Sequence, residues 1–177
     1  MISDIELVDQ AKRGDNQAFE ELIRKYHDQV FRFALGMLPS HQDAEDVAQD
    51  TFIKAYRGIG MFRGSASLGT WLITIARTTV AQWYRRHKFE QNLDETAEMS
   101  AGDADTFLAH MEVRSAVAKL PESYREIIVL RYTNQLDLNE IALVVGISTN
   151  AVGARLHRAR QMLRDALGDQ VSAGGVS

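Results

Sequence analysis

Residues 136–167 constrain this chain more than any other stretch. A short apolar run, Leu136-Asp137-Leu138-Asn139-Glu140-Ile141-Ala142-Leu143-Val144-Val145, stops at Gly146. Glycine adopts the left-handed conformation that ends a helix without a steric penalty. A second helix is expected to start at once, with Ser148 as its N-cap. A serine hydroxyl there accepts a bond from an N–H of the first turn that has no partner inside the helix. Small Ala142 allows the helices to approach closely, and Ile141, Val145, Ile147 and Val152 are placed to fill the angle between them. Two helices joined by so tight a turn form a helix-turn-helix, whose second helix fits a DNA major groove.

The second helix divides cleanly at about 100° per residue. Val152, Leu156, Ala159 and Leu163 fall on one narrow arc, the expected core side. Asn150, Gly153, Ala154, His157, Arg158 and Gln161 fall opposite. Arg155 and Arg160 flank the apolar arc, where they would reach phosphates on either wall of a groove. No acid interrupts this helix before Asp165. A helix that is only solvated mixes its signs through i,i+4 pairs.

A chain of 177 residues accommodates one or two small domains, and 45% apolar residues suffice for a core. The lack of cysteine excludes a disulfide framework, thiol chemistry and a zinc finger. The N-terminus carries no basic-then-apolar signal, and no apolar run is long enough to span a membrane. A cytoplasmic protein without membrane insertion is expected. The net charge of -4 is unusual for a DNA binder. Its basic surfaces are therefore expected to be local, and the free chain to bind DNA poorly through long-range repulsion.

Sustained strand alternation is missing, and helical spacing recurs along the chain, so an all-α fold is expected. Residues 3–13 suit a first helix, with Ile5, Leu7 and Val8 apolar and Gly14-Asp15 as its stop. Residues 16–38 suit a long second one, ended by Pro39-Ser40, with Phe19, Leu22, Ile23, Tyr26, Val30, Phe33, Ala34 and Met37 recurring at three and four. In a third helix, residues 43–56, Ala44, Val47, Ala48, Thr51, Phe52 and Ala55 form the stripe to be buried. Asp43, Asp46, Gln49, Asp50 and Ile53 share a different face. Acids early in a helix oppose the positive end of its dipole, so this face fits a solvated surface as well as a contact surface.

Residues 58–67 form a glycine-containing loop with Phe62, Arg63 and Ser65. Such a loop is either a connector or the frame of a pocket for an unstacked base. Leu68, Trp71, Leu72, Ile75, Ala76, Thr79 and Trp83 give a fourth helix, 68–87, with Trp71 assigned to the core. Arg77, Thr78, Ala81, Gln82 and Arg85 lie away from that stripe, and Arg85-Arg86-His87-Lys88 closes the helix. Cations at a helix C-terminus are favourable in themselves.

From 89 to 105 the chain carries Glu90, Asp94, Glu95, Glu98, Asp103 and Asp105 with no Lys or Arg among them, which suits a flexible acidic linker. Two further helices, 106–119 and 122–132, are separated by Leu120-Pro121 and precede the helix-turn-helix. The expected organisation is a first domain at 1–88, a linker at 89–105, a second domain at 106–167 and a frayed tail at 168–177.

This order of parts closely resembles the sigma-70 superfamily of bacterial transcription initiation factors, in its short extracytoplasmic-function (ECF) form. Asp43-Ala44-Glu45-Asp46-Val47-Ala48-Gln49-Asp50-Thr51-Phe52 resembles the region that docks on the beta-prime clamp helices of RNA polymerase. Thr70-Trp71-Leu72-Ile73-Thr74-Ile75-Ala76-Arg77, followed by Arg85-Arg86, resembles the regions that open and read the -10 element. Leu120-Pro121-Glu122-Ser123-Tyr124-Arg125, Arg131 and the helix-turn-helix resemble the region that reads the -35 element.

The resemblance implies a non-enzymatic sigma factor without a cofactor or metal. Its partners would be core RNA polymerase (beta-prime clamp helices and beta flap), promoter DNA and a restraining anti-sigma factor. It implies polymerase contacts at Asp43, Asp46, Gln49, Asp50 and Ile53. The implied -10 contacts are Phe62, Arg63, Ser65, Arg77, Thr78, Gln82, Arg85 and Arg86. For the -35 element it implies Arg131, Ser148, Thr149, Asn150, Gly153, Ala154, Arg155, His157, Arg158 and Arg160.

Four positions depart from many relatives. Thr78 stands in place of Asn, Gln82 in place of Asp, and Gly153-Ala154 in place of a basic residue and Ser. They bear on which promoter is read and leave the resemblance intact. A stand-alone helix-turn-helix repressor would leave the first domain unexplained and lacks a dimerisation helix. A helical enzyme would need a cluster that the scattered His27, His41, His87, His110 and His157 do not form.

Overall fold

The computed structural model describes residues 3–90 and 107–173, with side chains described for 3–87 and 113–168. The expected acidic linker falls largely outside the described residues. The chain divides into two units, Met1–Ala97 and Glu98–Ser177. Among the described residues every regular element is helical, as the sequence led one to expect. None of these helices is long and apolar enough to cross a membrane.

The N-terminal unit consists of α1 (Asp4–Lys12), α2 (Asn16–Met37), α3 (His41–Gly58), a 3-10 turn (Ile59–Met61) and α4 (Leu68–Glu90). Each of the four α-helices starts on a side-chain cap. Ser3 and Glu6 form a capping box. Asp15 Oδ1 accepts from the N–H groups of Gln17 and Ala18 at 2.9 and 3.2 Å. Ser40 Oγ accepts from Asp43 N–H at 3.1 Å, and Ser67 Oγ accepts from Thr70 N–H at 3.1 Å. Each bond satisfies a first-turn donor that has no partner within its own helix. Leu38 is extended, as the residue before a proline must be, and this ends α2.

Helix α2 packs against α1, α3 and α4, and α3 packs against α4. The whole stripe expected on α3 is buried: Ala44, Val47, Ala48, Thr51, Phe52 and Ala55. The polar member is satisfied within its own helix, with Thr51 Oγ1 donating to Val47 O at 2.7 Å. Helix α1 buries Leu7, Val8 and Ala11 while Ile5 stays exposed. Tyr26 OH and Lys25 Nζ on α2 both reach the Asp4 carboxylate at 2.5 Å. Burial raises the Asp4 pKa, but the bonds from Lys25 and Tyr26 outweigh it and the net shift is downward.

On α4 the buried stripe is turned from the expected one. Ile73 and Val80 are enclosed, whereas Ile75 is only half-buried. One of the two tryptophans also differs from expectation. Trp83 is 7% exposed, while Trp71, assigned to the core from the sequence, is half-buried. The helix runs on to Glu90, two residues into the expected linker.

The C-terminal unit consists of α5 (Phe107–Lys119), α6 (Glu122–Ile128), a π turn (Val129–Thr133), α7 (Leu138–Val145) and α8 (Thr149–Ala173). The expected single helix over 122–132 therefore ends in a π turn, closed by Asn134 N–H donating to Val129 O at 3.1 Å. Helix α8 packs against α5, α6 and α7. It continues through Ala173, so the first part of the expected tail is helical, and 174–177 lie outside the described residues.

The turn between α7 and α8 follows the sequence reading. Asp137 and Glu140 form a capping box, and Gly146 ends α7 at φ 74°. Gly146 N–H and Ile147 N–H both return to Ala142 O, at 2.9 and 3.3 Å. Ser148 Oγ then accepts from Ala151 N–H at 3.2 Å and opens α8. Ile141, Val144, Val152, Leu156 and Ala159 are buried around this corner. Val144 replaces Val145 as the main α7 contribution, since Val145 and Ile147 are half-buried.

Two glycines here have opposite roles. Gly146 needs its left-handed backbone, whereas Gly153 lies inside α8, and a Cβ added there would meet nothing within 4 Å. Gly146→Ala is expected to destabilise the C-terminal unit by about 1 kcal/mol. Gly153→Ala is expected to stabilise it by roughly 0.5–1 kcal/mol. Urea unfolding followed by circular dichroism measures both, and a loss of stability at both positions would contradict the account of Gly153.

Candidate nucleic-acid and polymerase interfaces

On α8 the residues expected to face a groove are displayed together. Asn150, Ala154, His157, Arg158 and Gln161 are exposed, opposite buried Val152, Leu156 and Ala159. Gly153 and Arg155 are half-buried at the edge of that face. Arg155, His157 and Arg158 have no ion-pair or hydrogen-bond partner among the described residues, so the two guanidinium charges and the donors of all three are available to a ligand. Arg160 is exposed but held: its Nε donates to Tyr132 OH at 2.7 Å, and its guanidinium lies 5.7 Å from the centre of that ring.

Three other residues of this set are partly engaged. Ser148 uses its hydroxyl as the cap of α8. Thr149 is half-buried and donates to Asn139 Oδ1 at 3.1 Å. Arg131 is half-buried and donates through Nη1 to Leu136 O at 2.9 Å. That bond ties the π turn to the segment leading into α7, so Arg131 braces the motif whether or not it also touches a ligand. Tyr132 was not singled out in the sequence. Its exposure of 54% places a large aromatic residue beside a basic helix.

In the N-terminal unit the glycine loop is anchored from both sides. Lys12 Nζ on α1 donates to Phe62 O at 2.8 Å. The Phe62 ring packs against Trp71 with centroids 5.2 Å apart and planes at 52°. Gly64 supplies a left-handed turn at φ 72°, and Arg63 and Ser65 on either side of it are exposed. The loop is therefore a shaped, partly aromatic edge, and Trp71, expected in the core, packs against its Phe62 ring instead.

Helix α4 presents Thr78, Gln82, Arg85 and Arg86 to solvent, with Arg77 half-buried. Thr78 Oγ1 donates back to Ile75 O at 2.8 Å. His87 stacks on Trp83 at 3.8 Å and separates itself from the outward arginines. Arg86 approaches Asp50 of α3, Nη2 to Oδ2, at 3.8 Å. Lys54 of α3 donates to Thr79 Oγ1 at 3.0 Å and to Gln82 Oε1 at 2.6 Å. Burial lowers the Lys54 pKa, with Asp50 opposing that shift and Arg86 adding to it.

The expected acidic face of α3 does not act as one surface. Asp43 bonds Ser40 Oγ in the helix cap. Asp50 turns toward Arg86. Asp46 remains exposed beside Gln42, whose Nε2 lies 3.2 Å from its Oδ1. Gln49 and Ile53 turn the other way, into a groove of about 820 Å³ between α2 and α3, which Phe19, Ile23, His27, Glu45, Phe52, Tyr56 and Arg57 also line. Ile53 is 43% exposed there. His27 stacks over both Phe31 and Phe52, at 6.1 and 6.3 Å. The apolar floor with a polar rim suits a protein partner better than a nucleic acid.

A helix-turn-helix unit, together with a helical unit bearing an anchored glycine loop and a basic-ended helix, defines the sigma-70 class of transcription factors. The comparisons agree. The family model described as Sigma-70 region 2 matches residues 22–90, and that of Sigma-70, region 4 matches residues 110–163. The ECF RNA polymerase sigma factor SigW of Bacillus subtilis is 31% identical, over 92% of this chain and 95% of its own. Among solved structures, CnrH in complex with the cytosolic domain of CnrY is similar at a TM-score of 0.72 and 28% identity, covering 92% of this chain and 96% of that one. The sigma factor RpoE of Bartonella quintana, solved with the anti-sigma factor NepR, is similar at 0.75 and 26% identity, covering 85% and 96%. The chain belongs to the extracytoplasmic-function sigma factors of the sigma-70 family.

The Lys12 bond to the loop gives a local test. Lys12→Met is expected to leave the melting temperature close to that of the native chain and to speed amide exchange around residue 64 by roughly fivefold. Hydrogen exchange measured by mass spectrometry checks it. Unchanged exchange would mean that the Phe62–Trp71 contact holds the loop alone.

Proposed function

We propose that this chain is a non-enzymatic, cytoplasmic initiation factor that brings core RNA polymerase to a particular set of promoters. Its N-terminal unit, residues 1–88, docks on the beta-prime clamp helices and holds the opened -10 element. Its C-terminal unit, from 106 through α8, reads the -35 element and meets the beta flap. The observation that carries this is the unpaired basic face of α8 behind the Gly146 turn, in a chain of the sigma-70 family.

Polymerase docking falls to Asp46, Gln49 and Ile53, which are accessible beside the α2–α3 groove. Asp43 and Asp50 contribute through their charge, since a cap and an ion pair already engage them. The -10 contacts are Phe62, Arg63 and Ser65 on the loop and Arg77, Thr78, Gln82, Arg85 and Arg86 on α4. The -35 contacts are Asn150, Gly153, Ala154, Arg155, His157, Arg158 and Arg160, with Ser148, Thr149 and Arg131 shaping the motif. An anti-sigma factor restrains the chain. The two similar solved complexes, with the CnrY cytosolic domain and with NepR, support this.

Co-purification with core polymerase tests the docking. Ile53→Arg is expected to weaken association about tenfold or more without lowering the melting temperature, because the side chain is 43% exposed in the free chain. Undiminished binding by this variant would remove the groove from the interface.

Base reading is tested by holoenzyme affinity for single-base -35 variants at two salt concentrations. Arg158→Ala is expected to cost about 1–3 kcal/mol against one preferred sequence and little against others. Arg155→Ala and Arg160→Ala should weaken binding to every sequence and lower the salt slope by roughly one ion each. An equal loss on all sequences for Arg158→Ala would make it a phosphate contact.

A further inference from the structure

Lys54 reaches from α3 onto α4, where its ammonium donates to Gln82 Oε1 at 2.6 Å and to Thr79 Oγ1 at 3.0 Å. Thr79 is fully buried and spends its own proton on Ile75 O at 2.9 Å. It therefore offers Lys54 only a lone pair and cannot turn away. An ammonium has three donors and no acceptor. The Gln82 amide can meet it only through its oxygen, so the NH2 is the end left for an incoming group. Gln82 lies on the exposed side of α4, next in sequence order to Thr78 and Arg85 among the outward residues.

We propose that Lys54 is a positioning residue for promoter selection: by holding Gln82 through its carbonyl oxygen it makes Gln82 a hydrogen-bond donor toward the edge of the -10 element that is still paired, selecting a base that presents an acceptor in the major groove. This rests on the reading of α4 as the -10 contact. An unrestrained glutamine uses both ends of its amide to pair with adenine. A clamped one offers its donor. Guanine O6 and N7, adenine N7 and thymine O4 accept such a bond in the major groove, whereas cytosine presents its N4 amine, itself a donor. The position met by Gln82 should therefore exclude cytosine.

Holoenzyme is assembled with the native chain, Lys54→Met, Gln82→Ala, the double variant and Gln82→Glu. Each is measured by competition binding on promoter duplexes drawn from a randomised -10 library, with the -35 element constant. The native holoenzyme is expected to disfavour cytosine at one -10 position by about tenfold. Lys54→Met and Gln82→Ala should each abolish that preference, and the double variant should lose no more than either. Preferences along the -35 element serve as the internal reference.

Gln82→Glu keeps a partner for Lys54 but presents an acceptor, so it should turn the preference toward cytosine. This variant changes only an exposed side chain and tests the proposal even if Lys54→Met does not fold. Full exclusion of cytosine by Lys54→Met, with its loss in Gln82→Ala, would overturn the positioning role while keeping the base contact. An unchanged preference in Gln82→Glu would overturn it as well. If Gln82→Ala retains every base preference, α4 does not read DNA through this residue, and the -10 assignment fails first.

Discussion

The exposed surfaces of the N-terminal unit depend on how closely α2, α3 and α4 approach. Ala34, Ala44, Ala48, Ala55 and Ala76 are each fully enclosed, one or more on every one of these helices. A methyl group is the smallest side chain that still excludes water, so helices that meet over alanine lie near the short end of interaxial distances. That proximity lets Lys54 on α3 touch Thr79 and Gln82 on α4, and lets Asp50 approach Arg86. Larger residues at these positions would widen the gap and part those pairs. The docking and reading surfaces are thus joined by the core beneath them.

Features that depend on one helix at a time were legible in the sequence. The Gly146 turn, the Ser148 cap and the buried arc of Val152, Leu156 and Ala159 are set by local backbone chemistry and by helical period. The α3 stripe was legible for the same reason. Periodicity was less exact on α4, where a threonine-rich and aromatic sequence supports several adjacent stripes, and Ile73 and Val80 displaced Ile75. Trp71 left the expected core because a large ring satisfies either a core or the underside of a loop, and only the loop's path decides.

What one helix does to another was not legible. Nothing in the spacing of Asp43, Asp46, Gln49, Asp50 and Ile53 says that α4 will claim Asp50 and that α2 will form a groove beside Gln49 and Ile53. Lys12, Lys54 and Tyr132 were overlooked because each acts on a residue 50, 28 and 28 positions away. The only signal available for Lys54 was its place one turn beyond Asp50, on the same side of α3. The residues that carry the proposed contacts could be named from the sequence, whereas those that orient them emerged only from packing.

The π turn at Val129–Thr133 also fixes chain length. A turn closed by an i to i+5 bond holds one residue more than the α turn it replaces. Removing a residue there would restore regular helix and rotate everything beyond it by about 100°. Arg131 would no longer face Leu136 O, and Tyr132 would swing away from Arg160. Single-residue deletions in this turn are therefore unlike those in a loop. They change phase along with length, and a gap placed here in a comparison of relatives would mark a different orientation of the motif that follows.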